Sequence, residues 1–181
     1  MTSPTAPLLK SGRMKFVVAF LAGVIAMPLV TLWMALHGRL SVDAISAPPR
    51  WETAIGQAGL QKSLARRAKG LRSPPLSDEA DLLAGMRTYR NDCAGCHGDV
   101  GQMRSGAGLY PRIPQFVQHP PKLEAQEMFI AVKYGIRYSG MGAWDKEITD
   151  TEIWQAVTFL SRLGSLPAGV DEAWRAKENQ Q

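Results

Sequence analysis

The feature that most constrains the fold is the pentapeptide Cys93-Ala94-Gly95-Cys96-His97, a C-x-x-C-H motif. Two thiols three positions apart can both form thioether bonds to the vinyl edge of one porphyrin, and the adjacent His97 then lies under the iron as its proximal ligand. The motif therefore predicts covalent attachment of one haem c. A small domain with such a motif folds around its cofactor, so the haem is expected to form much of the core.

Other uses of paired cysteines fit this sequence less well. A thioredoxin-type redox pair expects a strand–helix–strand context, and no such pattern surrounds Cys93 and Cys96. A zinc site needs two further ligands, but the chain has only 2 Cys and no H-x₃₋₅-H pair. The same cysteine count excludes a disulfide-rich scaffold and an iron–sulfur cluster.

A methionine between two glycines is the predicted second ligand of the iron. Met141 lies in Ser139-Gly140-Met141-Gly142, where flexible glycines allow the thioether to reach a metal. Ligation by one His and one Met is the pattern of cytochromes c. The alternatives are a methionine six residues after the motif, a methionine in a helical run and a loop histidine: Met103, Met128 and His119.

The N-terminal part of the chain contains a membrane-length apolar run. From Phe16 to Leu36 no residue is charged, and as a helix this run is roughly 30 Å long, the thickness of a bilayer core. Pro28 lies inside it, and membrane-spanning helices tolerate such a proline as a kink. Cations precede the run without any acidic residue, which predicts a cytoplasmic N-terminus: Lys10, Arg13 and Lys15.

This run is interpreted as an uncleaved, single-pass anchor over residues 16–37 in a bacterial inner membrane. The alternative is a secretory signal peptide that is cut near Ala44-Ile45-Ser46. The apolar run is longer than a usual signal sequence, and those small residues lie far beyond its end, which favours the anchor. Both interpretations place the remainder of the chain outside the cytoplasm, in the periplasm.

The positive charge of the chain is confined to this N-terminal part. Residues 1–72 carry 10 Lys+Arg and 2 Asp+Glu, whereas residues 73–181 carry 11 and 14. That distribution argues against a nucleic-acid-binding face, and no nucleic acid is expected as a partner. Residues 51–72 have the pattern of a basic amphipathic helix. It could lie on anionic lipid, dock an acidic partner, or act as a spacer that is solvated or rests on its own domain.

Three further helices are predicted, and there is no clear strand signal, so the fold class is all-α. The first begins at the N-cap Ser77 and runs to about residue 91. The second spans about residues 124–134 and ends at Gly135. The third begins at the capping box Thr149-x-x-Glu152 and runs to about residue 163.

The predicted organisation of the chain has five segments. They are a cytoplasmic N-terminus over residues 1–15, the transmembrane anchor over 16–37, a linker with the basic helix over 38–75, a haem domain over 76–166 and a polar tail over 167–181.

About half of the chain, residues 77–166, resembles the class I c-type cytochromes, specifically the single-haem bacterial kind with a membrane anchor. The resemblance is carried by Gly85-x-x-x-Tyr89-x-x-x-Cys93-Ala94-Gly95-Cys96-His97-Gly98, then Tyr110-Pro111, then Tyr138-Ser139-Gly140-Met141-Gly142-Ala143-Trp144, and then residues 153–160. It implies three main helices around the haem. In that arrangement Gly85 and Tyr89 of the first helix meet Ala156 and Phe159 of the last.

The resemblance also implies groups that hold the haem. A proline carbonyl accepts a hydrogen bond from the ring of His97, which fixes the ring and tunes its basicity. Pro111 is the candidate for that acceptor, and Pro114 is the alternative. Apart from the resemblance, the residues suggest a contact to a haem propionate from Arg104, Arg112 or Trp144, and the alternative is that these are ordinary surface or core residues.

An iron held by His97 and Met141 has no open position for a substrate. The expected function is therefore single-electron transfer to or from redox proteins, such as a respiratory complex, an oxidase, a reductase or a periplasmic dehydrogenase, rather than an enzymatic reaction. Two alternatives remain. The chain could be a permanent cytochrome subunit of a larger membrane oxidoreductase, or a haem-based sensor or enzyme in which the Met141 bond is labile.

Overall fold

The computed structural model describes residues 8–76, 78–102 and 108–176, with side chains from residue 12 onward. In these ranges all regular elements are helical, which confirms the all-α prediction. The α-helices are α1 (Leu8–Leu36), α2 (Arg50–Ala68), α3 (Glu79–Thr88), α4 (Ala94–His97), α5 (Ala125–Tyr134), α6 (Asp150–Ser161) and α7 (Ala168–Arg175). A π-helical turn, Tyr89–Cys93, joins α3 to α4. The chain divides into two compact units, and the boundary in the sequence falls between Asp43 and Ala44.

The first unit contains α1, whose stretch Gly12–Leu36 is long and apolar enough to cross a membrane. Pro28 lies within this helix. At its end the rings of Trp33 and His37 stack with centroids 4.7 Å apart. The ring nitrogen Nδ1 of His37 lies 2.8 Å from the Trp33 carbonyl oxygen. Amphipathic rings at the end of an apolar helix are typical of a membrane–water interface.

In the second unit α3 crosses α6 at very short range. A Cβ atom on Gly85 would lie 2.0 Å from the carbonyl oxygen of Gln155, so only glycine permits this approach. Next to the crossing, the rings of Tyr89 and Phe159 lie with centroids 6.0 Å apart, and both side chains are fully buried. The predicted contact between the first and last helices of the haem domain is confirmed.

The helix ends follow local capping signals. Asp78 caps α3, because its side chain accepts a hydrogen bond from the Asp81 N–H at 2.7 Å. Ser77, the predicted cap, lies outside the described residues. The Thr149–Glu152 capping box begins α6 as predicted, and Gly135 ends α5 with a positive φ of 67°.

The basic helix of the linker is part of the folded domain. Leu64 and Ala68 of α2 are buried in one hydrophobic cluster with Phe129 of α5 and Trp154 of α6. The guanidinium of Arg67 also lies 4.2 Å from the centroid of the Tyr134 ring. Of the alternatives for the linker helix, the structure shows the one in which it rests on its own domain, because the apolar face of α2 packs with residues of α5 and α6.

The segment predicted as a polar tail contains a packed helix in the residues that the structure describes. Helix α7 buries Val170 and Trp174 in a second cluster with Leu82, Tyr89 and Phe159. The two buried side chains are four positions apart, so they lie on one face of α7, and its polar residues occupy the other. This helix covers the end of the α3–α6 pair.

Replacing Gly85 with Ala should lower the free energy of unfolding by at least about 2 kcal/mol, because the added methyl group overlaps the Gln155 carbonyl. Gly56→Ala is the matched control: its Cβ would meet no atom within 4 Å, and alanine is the better helix former. Chemical denaturation of the haem-loaded protein in detergent measures both. Equal stability of the two variants would contradict the close crossing.

Candidate functional site

The C-x-x-C-H motif lies in a continuous helical segment that begins in the core. The π-helical turn Tyr89–Cys93 follows α3 directly and leads into α4, which ends at His97. Single π-helical turns inside helices are frequent at functional sites. Fully buried Tyr89 fixes the start of this segment, so the motif is displayed from a rigid helix pair.

The two cysteines are free thiols, Cys93 half-buried and Cys96 exposed. Burial raises the pKa of the Cys93 thiol to about 12, with the nearby Asp92 carboxylate as a smaller cause. A redox dithiol needs a thiol with a lowered pKa, since the thiolate is the nucleophile. The Cys93 thiol is therefore a poor nucleophile for thiol–disulfide exchange, and the spacing of the two cysteines is that of a haem attachment site.

The imidazole of His97 is held in one orientation. Its Nδ1 donates a hydrogen bond to the Pro114 carbonyl oxygen at 2.9 Å. Its ring stacks on the Phe116 ring with centroids 4.4 Å apart and planes 7° from parallel. Because Nδ1 carries the proton, the lone pair resides on Nε2, the nitrogen that can bind a metal. Desolvation lowers the pKa of His97 and favours this neutral form, although the bond to Pro114 opposes the shift.

The prediction that Pro111 accepts this hydrogen bond is wrong, since the acceptor is Pro114. The reason lies in Phe116. Its backbone N–H donates to the His97 carbonyl oxygen at 3.1 Å while its ring stacks on the imidazole. This anchoring brings the residue two positions earlier, Pro114, opposite Nδ1. Pro111 lies three residues before Pro114 in the same loop and is exposed.

Two buried or half-buried side chains fix the backbone just around His97. The Tyr89 hydroxyl donates to the Gly98 carbonyl oxygen at 2.7 Å, and burial raises the pKa of Tyr89, which keeps this donor protonated. The Gln115 amide donates to the Cys96 carbonyl oxygen at 3.1 Å. Gly98 has a positive φ of 85°, and a Cβ there would lie 2.9 Å from the Gln115 Oε1.

An ion pair joins a residue that precedes the motif to a residue that follows it. Arg90, in the π-helical turn, places its Nε 3.4 Å from Oδ1 of Asp99, whose side chain is only 6% exposed. The Arg90 guanidinium also lies 4.6 Å from the centroid of the Trp174 ring and donates to the carbonyls of Ala173 and Trp174. Sequence reasoning missed this group. The signal for it in the sequence was a pair of opposite charges that flank the motif, Arg90 three residues before Cys93 and Asp99 two residues after His97.

Met141 lies half-buried in an organised loop between α5 and α6. Its N–H donates to the Ser139 Oγ at 3.1 Å, and its carbonyl accepts from the Ile136 N–H at 2.9 Å. The loop folds back against the end of α5, where a Cβ on Gly135 would lie 2.7 Å from the Gly142 carbonyl carbon. These contacts hold the Met141 backbone in place despite the flanking glycines.

The loop that carries Pro114 and the loop that carries Met141 meet at Leu109. Its side chain lies 3.4 Å from the position of a Cβ on Gly140. The structure thus brings the loop of the second-ligand candidate into contact with the start of the loop that also carries Pro114.

The remaining candidates take different positions. Met128 is 6% exposed and packs in the core, whereas His119 is exposed. Arg112 is exposed, and Trp144 is half-buried with its backbone N–H bonded to the end of α5. Met103 and Arg104 lie outside the described residues.

The helical fold, the C-x-x-C-H segment and its oriented histidine, together with a family match, support a class I c-type cytochrome domain. Residues 80–160 match the family model described as cytochrome C oxidase, cbb3-type, subunit III. This match begins in α3, ends in α6 and includes both the motif and Met141.

A solved structure that is similar to this chain is the reducing HAO-like protein complex of Kuenenia stuttgartiensis. The similarity covers 52% of this chain and 47% of that chain, with 22% sequence identity and a TM-score of 0.41. The chain thus matches about half the length of that structure.

Tyr89→Phe should lower the free energy of unfolding by about 1–3 kcal/mol, because the buried Gly98 carbonyl loses its donor while the ring packing remains. Tyr138→Phe is the control, since that side chain is 90% exposed and its variant should unfold like the wild type. Denaturant titration followed by the haem absorbance measures both. An unchanged Tyr89→Phe variant would show that the hydrogen bond contributes nothing.

Proposed function

We propose that this chain is a membrane-anchored periplasmic cytochrome that passes single electrons between redox proteins at the membrane surface. One haem c is attached to Cys93 and Cys96, and its iron is ligated by His97 and Met141. The observation that carries the proposal is the oriented imidazole behind the C-x-x-C-H motif, with Nδ1 bonded to Pro114 and Nε2 left as the metal-binding nitrogen.

The donor set fits a haem. Two free thiols at the required spacing, one histidine locked in the ligating tautomer and one thioether in an organised loop are the groups that such a cofactor uses. When bound, haem supplies a one-electron couple between ferrous and ferric iron, and a thioether ligand raises its potential.

The side chains around His97 have separate tasks in this function. The Pro114 carbonyl fixes the tautomer and increases the basicity of the ring. The Phe116 ring covers one face of the imidazole, which hinders its rotation. Tyr89 and the Arg90–Asp99 pair keep the attachment segment from moving when charge enters or leaves the site. A rigid site lowers the reorganisation that accompanies electron transfer.

Helix α1 supports the anchor in this proposal. Its stretch Gly12–Leu36 has the length and hydropathy of a membrane span. Cations but no acidic residue precede the uncharged run that begins at Phe16. The proposed arrangement has residues 1–15 in the cytoplasm, residues 16–37 in the inner membrane and the domain outside. The domain begins with α2 and extends through α7 rather than covering residues 76–166.

A second candidate function is that of a permanent subunit of a larger membrane oxidoreductase. The observation that favours it is the matched family, whose description names a subunit of a terminal oxidase. Purification from native membranes in mild detergent separates the two, because a free carrier elutes alone and a subunit elutes with its complex.

The wild-type protein should not bind carbon monoxide in the reduced state, because Met141 closes the sixth position of the iron. Met141→Ala should open that position and shift the Soret band when the gas is added. Met128→Leu is the control, since Met128 is a core residue and its variant should stay closed. A shift in the wild type would favour the sensor or enzyme alternative, and a closed Met141→Ala variant would refute Met141 as the ligand.

Mass spectrometry of the denatured protein should show the polypeptide plus one haem. The Cys93→Ala/Cys96→Ala variant should show no added mass and should be poorly folded, because the haem supplies much of the core. A mass increase of two haems, or a cooperative native-like melt of the double variant, would contradict this account.

A further inference from the structure

Helix α2 has an inner face that is fully used by the domain. Leu64 and Ala68 are buried against α5 and α6, and half-buried Leu60 packs on the same cluster. Thr53 lies on the same side of α2, about two turns before Leu60, and its hydroxyl is 3.1 Å from the Tyr110 hydroxyl. The inner face therefore runs along the whole helix.

The opposite face of α2 is exposed and has a distinct composition. At about 100° per residue, Trp51, Ile55, Lys62 and Arg66 fall roughly opposite Leu64. Trp51 is 66% exposed and Ile55 is 67% exposed, and both cations are exposed as well. We refer to these four residues as the outer stripe of α2.

The composition of the outer stripe is that of a helix at a lipid surface. A tryptophan and an isoleucine, four positions apart, can enter the boundary between head groups and acyl chains, while lysine and arginine bind anionic head groups. Glu52, the one acidic residue of α2, lies to the side of the stripe. A soluble partner would have to cover two large apolar side chains and two cations together.

Charge distribution favours lipid contact at this face. Residues 73–181 carry 11 Lys+Arg and 14 Asp+Glu, so the rest of the domain has a net charge of −3 and gains no overall attraction to an anionic surface. Within α2 four cations stand against one acid: Arg50, Lys62, Arg66 and Arg67. The domain thus has its positive surface on the helix that follows the membrane span in sequence.

The chain length between α1 and α2 keeps the outer stripe near the bilayer. Residues 37–49 separate the two helices, and at about 3.5 Å per residue they reach at most roughly 45 Å. Within that radius the local concentration of lipid is high, so even a weak surface affinity is sufficient for contact.

We propose that the outer stripe of α2 rests on anionic lipid of the same membrane that α1 crosses. This inference rests on the anchored arrangement of the proposed function and adds a second, interfacial contact to it. Because Thr53 of the same helix bonds Tyr110 in the loop that supplies Pro114, lipid contact by α2 would hold the haem site in one orientation to the membrane. The domain would then present itself to membrane-bound partners rather than tumble on its tether.

The experiment uses the full-length, haem-loaded protein in lipid nanodiscs. A spin label is attached to Ala58→Cys, an exposed position beside the outer stripe, and its collisions with oxygen and with a water-soluble nickel chelate are measured. Discs of phosphatidylcholine are compared with discs of equal parts phosphatidylcholine and phosphatidylglycerol. We expect oxygen to dominate in the anionic discs and the nickel chelate to dominate in the neutral discs.

Removing the two cations tests the charge. Lys62→Gln/Arg66→Gln should weaken lipid contact at position 58 by roughly 30-fold in its equilibrium constant. The control variant Lys122→Gln/Lys146→Gln removes the same charge from exposed positions elsewhere and should leave the contact intact. Equal losses in both variants would assign the effect to net charge and overturn the role of the stripe.

Two further labels separate the failure of this inference from failure of the anchor. A label at Val24→Cys should be lipid-exposed in all discs, and one at Glu172→Cys should stay in water. If position 24 is in lipid while position 58 stays in water on anionic discs, the anchor stands and lipid contact by α2 is refuted. The outer stripe would then be assigned to the binding of an acidic protein instead. Equal lipid exposure of position 58 in neutral discs would refute the requirement for anionic lipid.

Discussion

The hydrogen bond from His97 Nδ1 to the Pro114 carbonyl is the interaction on which the site depends. It decides which ring nitrogen carries the proton and therefore which nitrogen is left for a metal. The bond exists because Phe116 is fixed twice, by its N–H on the His97 carbonyl and by its ring on the imidazole. A loop without regular secondary structure is thereby held against the C-x-x-C-H segment.

That segment is in turn supported by the helix crossing beneath it. The absence of a side chain at Gly85 lets α3 touch the backbone of α6, and this contact places Tyr89 where its hydroxyl reaches the Gly98 carbonyl. Helix α7 closes the same cluster with Trp174, over which Arg90 lies on its way to Asp99. The helix packing, the Tyr89 hydrogen bond and the Arg90–Asp99 ion pair thus all support the few residues on either side of the motif.

Sequence reasoning succeeded where the signals are local. Gly135 and the Thr149–Glu152 box end and begin helices through contacts within one turn, and the C-x-x-C-H motif is contiguous. Where a tertiary contact decides, it left alternatives open or made no prediction. Pro114 is the acceptor because of how Phe116 packs, and α2 and α7 belong to the domain because their apolar faces find partners distant in sequence. The spacing of apolar residues along α2 and α7 shows that each helix has an apolar face, but it does not show which other element packs against that face.

In the proposed function, these loops and helices hold one iron between His97 and Met141. X-ray absorption at the iron edge of the purified, haem-loaded protein tests it most directly, in both the oxidised and reduced states. The account predicts one sulfur ligand in both states, and its loss in Met141→Ala. A wild-type iron bound only by nitrogen, or a sulfur ligand that persists in Met141→Ala, would contradict the account.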